Sequence, residues 1–284
     1  MAGNPIAGSQ IPPLPPGKTV AVYGQKIHYY QAGDGPAVIL LHGLGLDATF
    51  WTFVIPALSR THRVYAVDML GFGRSDKPPL EYSIETFVEF LEGFMRQAGI
   101  PKATLVGLSL GGWIAAEFAA QHPESVDRLV LVDAAGVRPP APPPAAALAL
   151  LNPGSLADER NLLKFVFFNQ DLVTDAVVEL YFQKRMRSGN GYTVARILQG
   201  MQTRDEWINE RLVHVRAPAL VVWGRNDLLI PLAMGEEFAR LLPGSKLAVI
   251  GECGHLPPAE KPAEFAKAVI EFLAQPLPAS SAPR

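Results

Sequence analysis

Short, continuously apolar, β-branched runs recur along this chain, separated by longer segments whose apolar residues repeat at helical spacing, and this alternation limits the fold more than any other feature. A strand that is apolar on both faces must be covered on both, as an inner strand of a parallel sheet flanked by helices is. Such runs stand at 37–41, 63–67, 104–107, 129–132, 219–223 and 246–250. Residues 19–22 and 26–31, divided by Tyr23 and Gly24, read instead as an antiparallel pair at the sheet edge. Helical spacing links Ile84, Phe87, Leu91, Phe94 and Ala98, with Ser83 placed to cap the amino end. Further helices are expected over 50–58, 113–120, 232–241 and 263–273. Strand alternating with helix predicts an α/β protein with a doubly wound, mostly parallel sheet.

Residues 137–212 break the alternation. They open on Arg138-Pro-Pro-Ala-Pro-Pro-Pro, hold no comparable β run, and carry helical patterns over 145–151, 156–168, 175–187 and 193–203. An all-helical insert between parallel strands belongs at the carboxyl edge of the sheet, where such folds bind ligands. The expected organisation is a proline-rich arm over 1–17, a discontinuous core over 18–136 and 213–275, and a helical cap over 137–212. Pro12, Pro13, Pro15 and Pro16 should keep the arm extended, because proline fixes φ and removes amide donors. A linker left by processing of an exported precursor and a plain chain terminus both fit it.

Charge and cysteine usage exclude several functions. The 25 basic and 27 acidic residues are scattered, and no run forms a phosphate-binding stripe, so nucleic acid is not an expected partner. No stretch approaches the roughly 20 apolar residues of a membrane span, and residues 1–17 lack a signal core, so a soluble protein is expected. Cys253, the single cysteine, allows neither an internal disulfide nor a metal cluster. With no base of its own it reads as a packed, inert thiol.

The strongest chemical signal is Gly-Leu-Ser-Leu-Gly at 107–111, directly after one strand and directly before a helix. A serine on so sharp a turn is held in a strained backbone, and the flanking glycines let the chain double back without clashes. The hydroxyl of Ser109 is then exposed above the sheet, and the following helix aims its free amides at the same spot. Ser109 is the candidate nucleophile, and it needs a base.

Of the six histidines, His255 lies in a glycine-rich loop after the last strand, at the sheet's carboxyl edge. It is the candidate base. His28, His62, His122 and His214 read as solvated or capping residues, and His42 as a residue that orients its own loop. The carboxylate that fixes the imidazole tautomer is expected at Asp227, after the strand at 219–223, with Asp133 at the end of the preceding strand as its rival. The order Ser, Asp, His suits this elbow. Oxyanion donors are expected from the amide of Leu110 and from Leu44 in the loop His-Gly-Leu-Gly at 42–45.

His-Gly-Leu-Gly at 42–45, Asp-Met-Leu-Gly-Phe-Gly-Arg-Ser at 68–75, the serine turn at 107–111, Trp-Gly-Arg-Asn-Asp at 223–227 and Gly-His at 254–255 together resemble the α/β-hydrolase family, in its lidded esterase-like branch. The resemblance runs from about Lys18 to Leu273. It implies an eight-stranded sheet with a cap after the sixth strand, Ser109, Asp227 and His255 as nucleophile, acid and base, and Leu44 and Leu110 as oxyanion donors. It also puts the loop of Asp68 and Arg74 near the pocket wall, where these two are expected to pair or cap locally.

The expected reaction is two-step acyl transfer on a small-molecule carboxylic ester, with no cofactor and no metal. Leu162, Leu163, Phe165, Phe167, Phe168, Tyr181 and Phe182 in the cap, with Leu44, Leu46, Leu108 and Leu110 in the loops, suggest an apolar acyl or aryl substrate. Gly43, Leu46, Leu108, Phe165, Phe168, Leu228 and Leu256 are the candidate substrate contacts. The family also holds carbon–carbon bond hydrolases, aminopeptidases and perhydrolases on the same triad, and a non-enzymatic ligand-binding protein can keep the fold. A serine at 109 argues against epoxide hydrolases and haloalkane dehalogenases, which need an aspartate nucleophile.

Overall fold

In the computed structural model, which describes residues 11–141 and 145–277, the apolar runs become one eight-stranded sheet. Its strands are β1 (Gly17–Val22), β2 (Gln25–Ala32), β3 (Ala37–Leu41), β4 (Arg63–Val67), β5 (Ala103–Leu108), β6 (Val126–Val132), β7 (Ala219–Gly224) and β8 (Lys246–Ile250). They lie in the order β1-β2-β4-β3-β5-β6-β7-β8. Strand β2 pairs antiparallel with β1 and β4, and every other pair is parallel. The chain passes from β3 out to β4 and returns to place β5 on the opposite side of β3, so the connections diverge above Leu41 and Gly107, which are partners in register. A crevice at such a reversal is where open α/β sheets bind ligands.

The helices are α1 (Ile55–Leu58), α2 (Ile84–Gln97), α3 (Leu110–Gln121), α4 (Ala145–Leu150), α5 (Leu156–Val166), α6 (Asp175–Ser188), α7 (Gly191–Thr203), α8 (Leu232–Leu241), α9 (Pro257–Glu260) and α10 (Pro262–Leu273). Alternate residues of each inner strand point to opposite faces. Ile39, Leu105, Leu131 and Val221 pack with α2, α3 and α8 residues such as Phe94, Phe118 and Phe238. Val38, Leu40, Val106, Val130 and Val222 face Trp51, Phe265 and Val269 on the other side. No described helix is long and apolar enough to cross a membrane.

Several expectations shift in detail. The arm ends one residue earlier than expected, because Gly17 already pairs with Tyr30. Pro12 lies against the core through its carbonyl, which accepts a bond from Thr52 Oγ1 at 3.0 Å, while residues 1–10 fall outside the described chain. The helix expected over 50–58 divides into a 3-10 helix, Ala48–Phe53, and the short α1, which has Pro56 in its first turn. Helix α9 was not expected from the sequence.

His28 is not solvated. It is 5% exposed, with Nδ1 2.8 Å from Asp68 Oδ2. Asp68 also accepts the amides of Ala48 at 2.7 Å and Arg74 at 2.9 Å, so it caps its loop through the Arg74 backbone. Burial alone would raise the Asp68 carboxyl, but the bonds from His28, Ala48 and Arg74 outweigh it and hold the group below its usual range.

Four helices, α4 to α7, lie between β6 and β7. Two hydrogen bonds from α6 and its end reach the loop after β3: Lys184 Nζ donates to Thr49 Oγ1 at 2.7 Å, and Asn190 Nδ2 to the Gly45 carbonyl at 3.3 Å. A buried ion pair joins α5 to α6, with Arg185 Nε 2.8 Å from Glu159 Oε2.

Candidate active site

Strand β5 delivers Ser109 in a backbone conformation open to few residues, φ 53° and ψ −116°. Four bonds hold it there. The Ser109 amide donates to Val132 O at 2.9 Å, and its carbonyl accepts from Gly112 at 2.9 Å, Trp113 at 3.1 Å and Ala135 at 3.1 Å. The glycines are steric requirements: a Cβ at Gly107 would lie 2.2 Å from the Gly111 carbonyl oxygen, and one at Gly111 would lie 2.4 Å from the Leu41 carbonyl oxygen. Strand β5, helix α3 and the end of β3 therefore meet at backbone distance around Ser109.

The loop after β3 closes the other side. A Cβ at Gly43 would stand 3.4 Å from Ser109 Cβ, 3.5 Å from Leu108 Cδ2 and 3.6 Å from Leu46 Cδ1, so Gly43, Leu46 and Leu108 do gather beside the serine. His42 fixes this loop. Its Nδ1 is 2.8 Å from the Gly43 carbonyl and its Nε2 accepts the Met69 amide at 3.2 Å, which requires the neutral Nδ1–H tautomer. Full burial lowers its pKa, against the opposing bond to Gly43 and the charges of Asp68 and Asp47. Among the described residues, the amides of Leu44 and Leu110 have no acceptor. Leu110 opens the twelve-residue α3, so helix dipole and free amide point the same way.

His255 and Asp227 meet directly, with Nδ1 2.7 Å from Oδ2. The other Asp227 oxygen accepts the amides of Leu229 at 2.8 Å and Ile230 at 2.9 Å. Both residues are buried, at 4% and 5% exposure. Close packing seats the histidine loop, since a Cβ at Gly224 would fall 1.9 Å from the Gly254 carbonyl oxygen. No hydrogen bond joins Ser109 to His255 in this resting arrangement, which is common before substrate tightens a site.

Two neighbouring carboxyls complete the region. Asp133 is fully buried beside the pair, with Oδ1 accepting the Gly224 amide at 2.9 Å. Glu260, on α9, takes the Gly254 amide at 2.8 Å on one oxygen. Its other oxygen accepts Phe168 at 2.9 Å and Asn169 at 3.1 Å. It thereby ties the histidine loop to the segment after α5, which the His255 amide also reaches through Val166 O at 2.8 Å. Sequence reasoning missed Glu260, whose only signal was the Pro-Pro pair at 257–258 that begins a helix. Cys253 is fully buried. Burial, and then the charge of Glu260, push its thiol well above the usual range, which leaves it unreactive.

Asp133, Asp227 and His255 each offer one atom within 4.8 Å of the others, a spacing a metal could use. Their atoms are otherwise engaged: Asp227 accepts two amides and the imidazole, and Asp133 Oδ1 is held by Gly224. Of the four carboxyl oxygens only Asp133 Oδ2 lacks a partner, so the set reads as a hydrogen-bond chain.

Of the remaining candidate contacts, Leu256 is buried with Leu108 in the core layer that also takes Leu162, Leu163 and Phe167. Phe165 is half-buried. Phe168 and Leu228 stand on the surface at 43% and 64% exposure. Leu228 turns outward because Asp227 accepts the two amides that follow it, which bends the chain sharply there. A shallow recess open to solvent lies beyond Leu46 and is bounded by Gly45, Phe50, Tyr181, Arg185 and Asn190.

Known proteins resemble this chain along most of its length. A family model described as alpha/beta hydrolase fold matches residues 36–262. A 2-hydroxymuconate semialdehyde hydrolase of Pseudomonas sp. (strain CF600) is 35% identical over 269 residues, covering 91% of this chain and 94% of the relative. A meta-cleavage product hydrolase from Pseudomonas fluorescens IP01 superposes with a TM-score of 0.83 at 31% identity, over 90% of this chain and 97% of that one. A bacterial membrane phospholipase A gives the same TM-score and identity, over 91% of this chain and 85% of that one.

Proposed function

The chain belongs to the alpha/beta hydrolase family and is a hydrolase of the serine type, and on that premise we propose that it cleaves a carbon–carbon bond beside a ketone in a small unsaturated keto acid. Ser109 Oγ adds to the ketone carbon while His255 Nε2 takes its proton, and Asp227 holds the imidazole in the Nδ1–H tautomer. The oxyanion sits between the amides of Leu44 and Leu110. Collapse breaks the carbon–carbon bond, whose electron pair leaves as a conjugated enolate and takes the proton from His255. Water, deprotonated by His255, then releases the acid from Ser109. Residues 137–212 serve as the cap that covers this site.

One observation favours this reading over plain ester cleavage. Arg185 has a side chain 9% exposed and an Nη1 with no partner, and a Cβ at Gly45 would lie 2.7 Å from that nitrogen. Buried donors are normally satisfied, so an unpaired guanidinium nitrogen in a recess invites an anion. Gly43, beside Ser109, and Gly45, beside Arg185, are two residues apart, a span of at most about 7 Å. A keto acid with its carboxylate on Arg185 and its ketone on Ser109 fits that separation, and the names of the relatives pair an oxo group with a dienoate in the same molecule.

A second reading, hydrolysis of an apolar ester, is favoured by the leucine side chains of Leu46 and Leu108 against Gly43. The deciding measurement compares kcat/KM for a vinylogous diketone acid with that for p-nitrophenyl esters of rising acyl length. The keto acid should be the better substrate, and Arg185→Gln should raise its KM about tenfold or more while leaving neutral esters little changed. Turnover of esters with none of the keto acid would replace this proposal with the ester reading.

A further inference from the structure

The buried carboxyl of Asp133 has one oxygen unaccounted for. Its Oδ1 accepts the Gly224 amide at 2.9 Å and its own amide donates to Val222 O at 3.0 Å, but Oδ2 is buried without a partner. An ionised carboxylate offers acceptors only, and a buried charged oxygen without a donor is among the costliest arrangements in a protein. The ionisable groups facing it are Asp227 and His255 within the 4.8 Å cluster, and more distantly Glu260. Cys253 and Lys261 share the same surroundings, and Lys261 is turned toward Glu252 at 3.7 Å. None of these supplies a donor to Oδ2.

Asp227 presents the complementary deficit. A carboxylate has about four lone-pair sites, and here three donors are in place: the amides of Leu229 and Ile230 and the imidazole of His255. A proton on Asp133 settles both accounts. We propose that Asp133 is a neutral carboxylic acid at working pH and donates from Oδ2 to the Asp227 carboxylate, holding it in place for His255. Burial first, then the charge of Asp227 and the hydrogen bond between the two side chains, hold the Asp133 proton well above the usual carboxylate range, against the Gly224 amide. Asp133 sits at φ 41° at the end of β6, a region tolerated by Asp and Asn, and its side chain reaches β7 at Gly224.

Asp133 is thus a positioning residue acting through Asp227, and the inference rests on the reading of Asp227 and His255 as partners of Ser109. The test is the pH profile of kcat/KM on a p-nitrophenyl ester for the wild type, Asp133→Asn and Asp133→Ala, with Tm measured alongside. Asparagine keeps an acceptor for Gly224 and a donor for Asp227, so its activity should remain within a few-fold and its acid limb should not move. Alanine removes the donor and concentrates charge on Asp227, so the acid limb should rise by about half a pH unit or more and activity should fall about tenfold or more. An ionised Asp133 predicts the opposite sign, the acid limb falling in both variants, and that result overturns the proposal. An alanine variant that folds and keeps both limb and rate reduces Asp133 to packing and also overturns it.

If alanine at this positive φ does not fold, asparagine still decides. The infrared difference between wild type and Asp133→Asn should then contain the carbonyl band of a protonated carboxylic acid, and its absence overturns the inference. Failure of the underlying reading looks different. There Asp227→Asn stays active, whatever the Asp133 variants do.

Discussion

Asp227 bonds His255 with one oxygen, at 2.7 Å, and receives the amides of Leu229 and Ile230 with the other. The carboxylate is therefore fixed by the turn that follows it. Asp227→Asn keeps this shape but presents an amide donor or a weaker acceptor to Nδ1, which favours the wrong tautomer. It should lower kcat by roughly a thousandfold or more with little change in KM. Full activity in a folded Asp227→Asn enzyme would remove Asp227 from the mechanism.

Ser109 occupies φ 53° and ψ −116°, where only glycine is at ease. Such strain costs roughly 1–3 kcal/mol. Ser109→Gly should therefore abolish turnover and raise Tm by about 2–4 °C, a gain partly offset by glycine's extra unfolded-state freedom. Ser109→Ala should be equally inactive without that gain. A Ser109→Gly variant that melts lower than the alanine variant contradicts the strain argument.

Much of this was readable in the sequence because the signals were local. Continuous apolar runs marked the six strands β3 to β8, though β8 proves to be an edge strand, and the turn at 107–111 marked the serine through glycines that a Cβ would drive into the Gly111 or Leu41 carbonyl. The order of Asp227 and His255 along the chain was enough to place both at one edge. What stayed hidden depends on contacts distant in sequence. Glu260 meets Phe168 across 92 positions, and His28 meets Asp68 across 40, so neither leaves a local pattern. Leu228 follows a residue of the site yet faces solvent, because a backbone turn rather than apolarity sets its direction.

Glu260 offers three amides two oxygens, and glutamine cannot replace it. Whichever way the amide group turns, its nitrogen faces a backbone N–H, either that of Gly254 or those of Phe168 and Asn169. Glu260→Gln should cost roughly 1–3 kcal/mol and reduce kcat by loosening the His255 loop. Hydrogen exchange should rise at 166–169 and 252–255 together. Faster exchange in one segment alone would show that they are not coupled through this side chain.

His42 should make the protein sensitive to acid. Burial lowers its folded-state pKa below 6.5, so from that pH downward the unfolded chain binds the proton first and folding stability declines, by at most about 1.4 kcal/mol per pH unit. His42→Gln retains a donor and an acceptor for Gly43 and Met69. Its stability should be flatter over this window, as measured by urea denaturation at pH 7 and pH 5. An unchanged slope would assign the acid sensitivity elsewhere.

The double attachment of residues 166–169, to His255 through Val166 and to α9 through Glu260, ties the seat of the base to the helical layer above it. The near end of the helical layer is fastened to the loop bearing the base, whereas its far end touches the loop after β3 through the longer Asn190 bond and an exposed lysine. A rearrangement of the helices that keeps the Val166 and Glu260 bonds would leave the imidazole where it is, so the proton carrier's alignment is anchored separately from the contacts at Gly45 and Thr49.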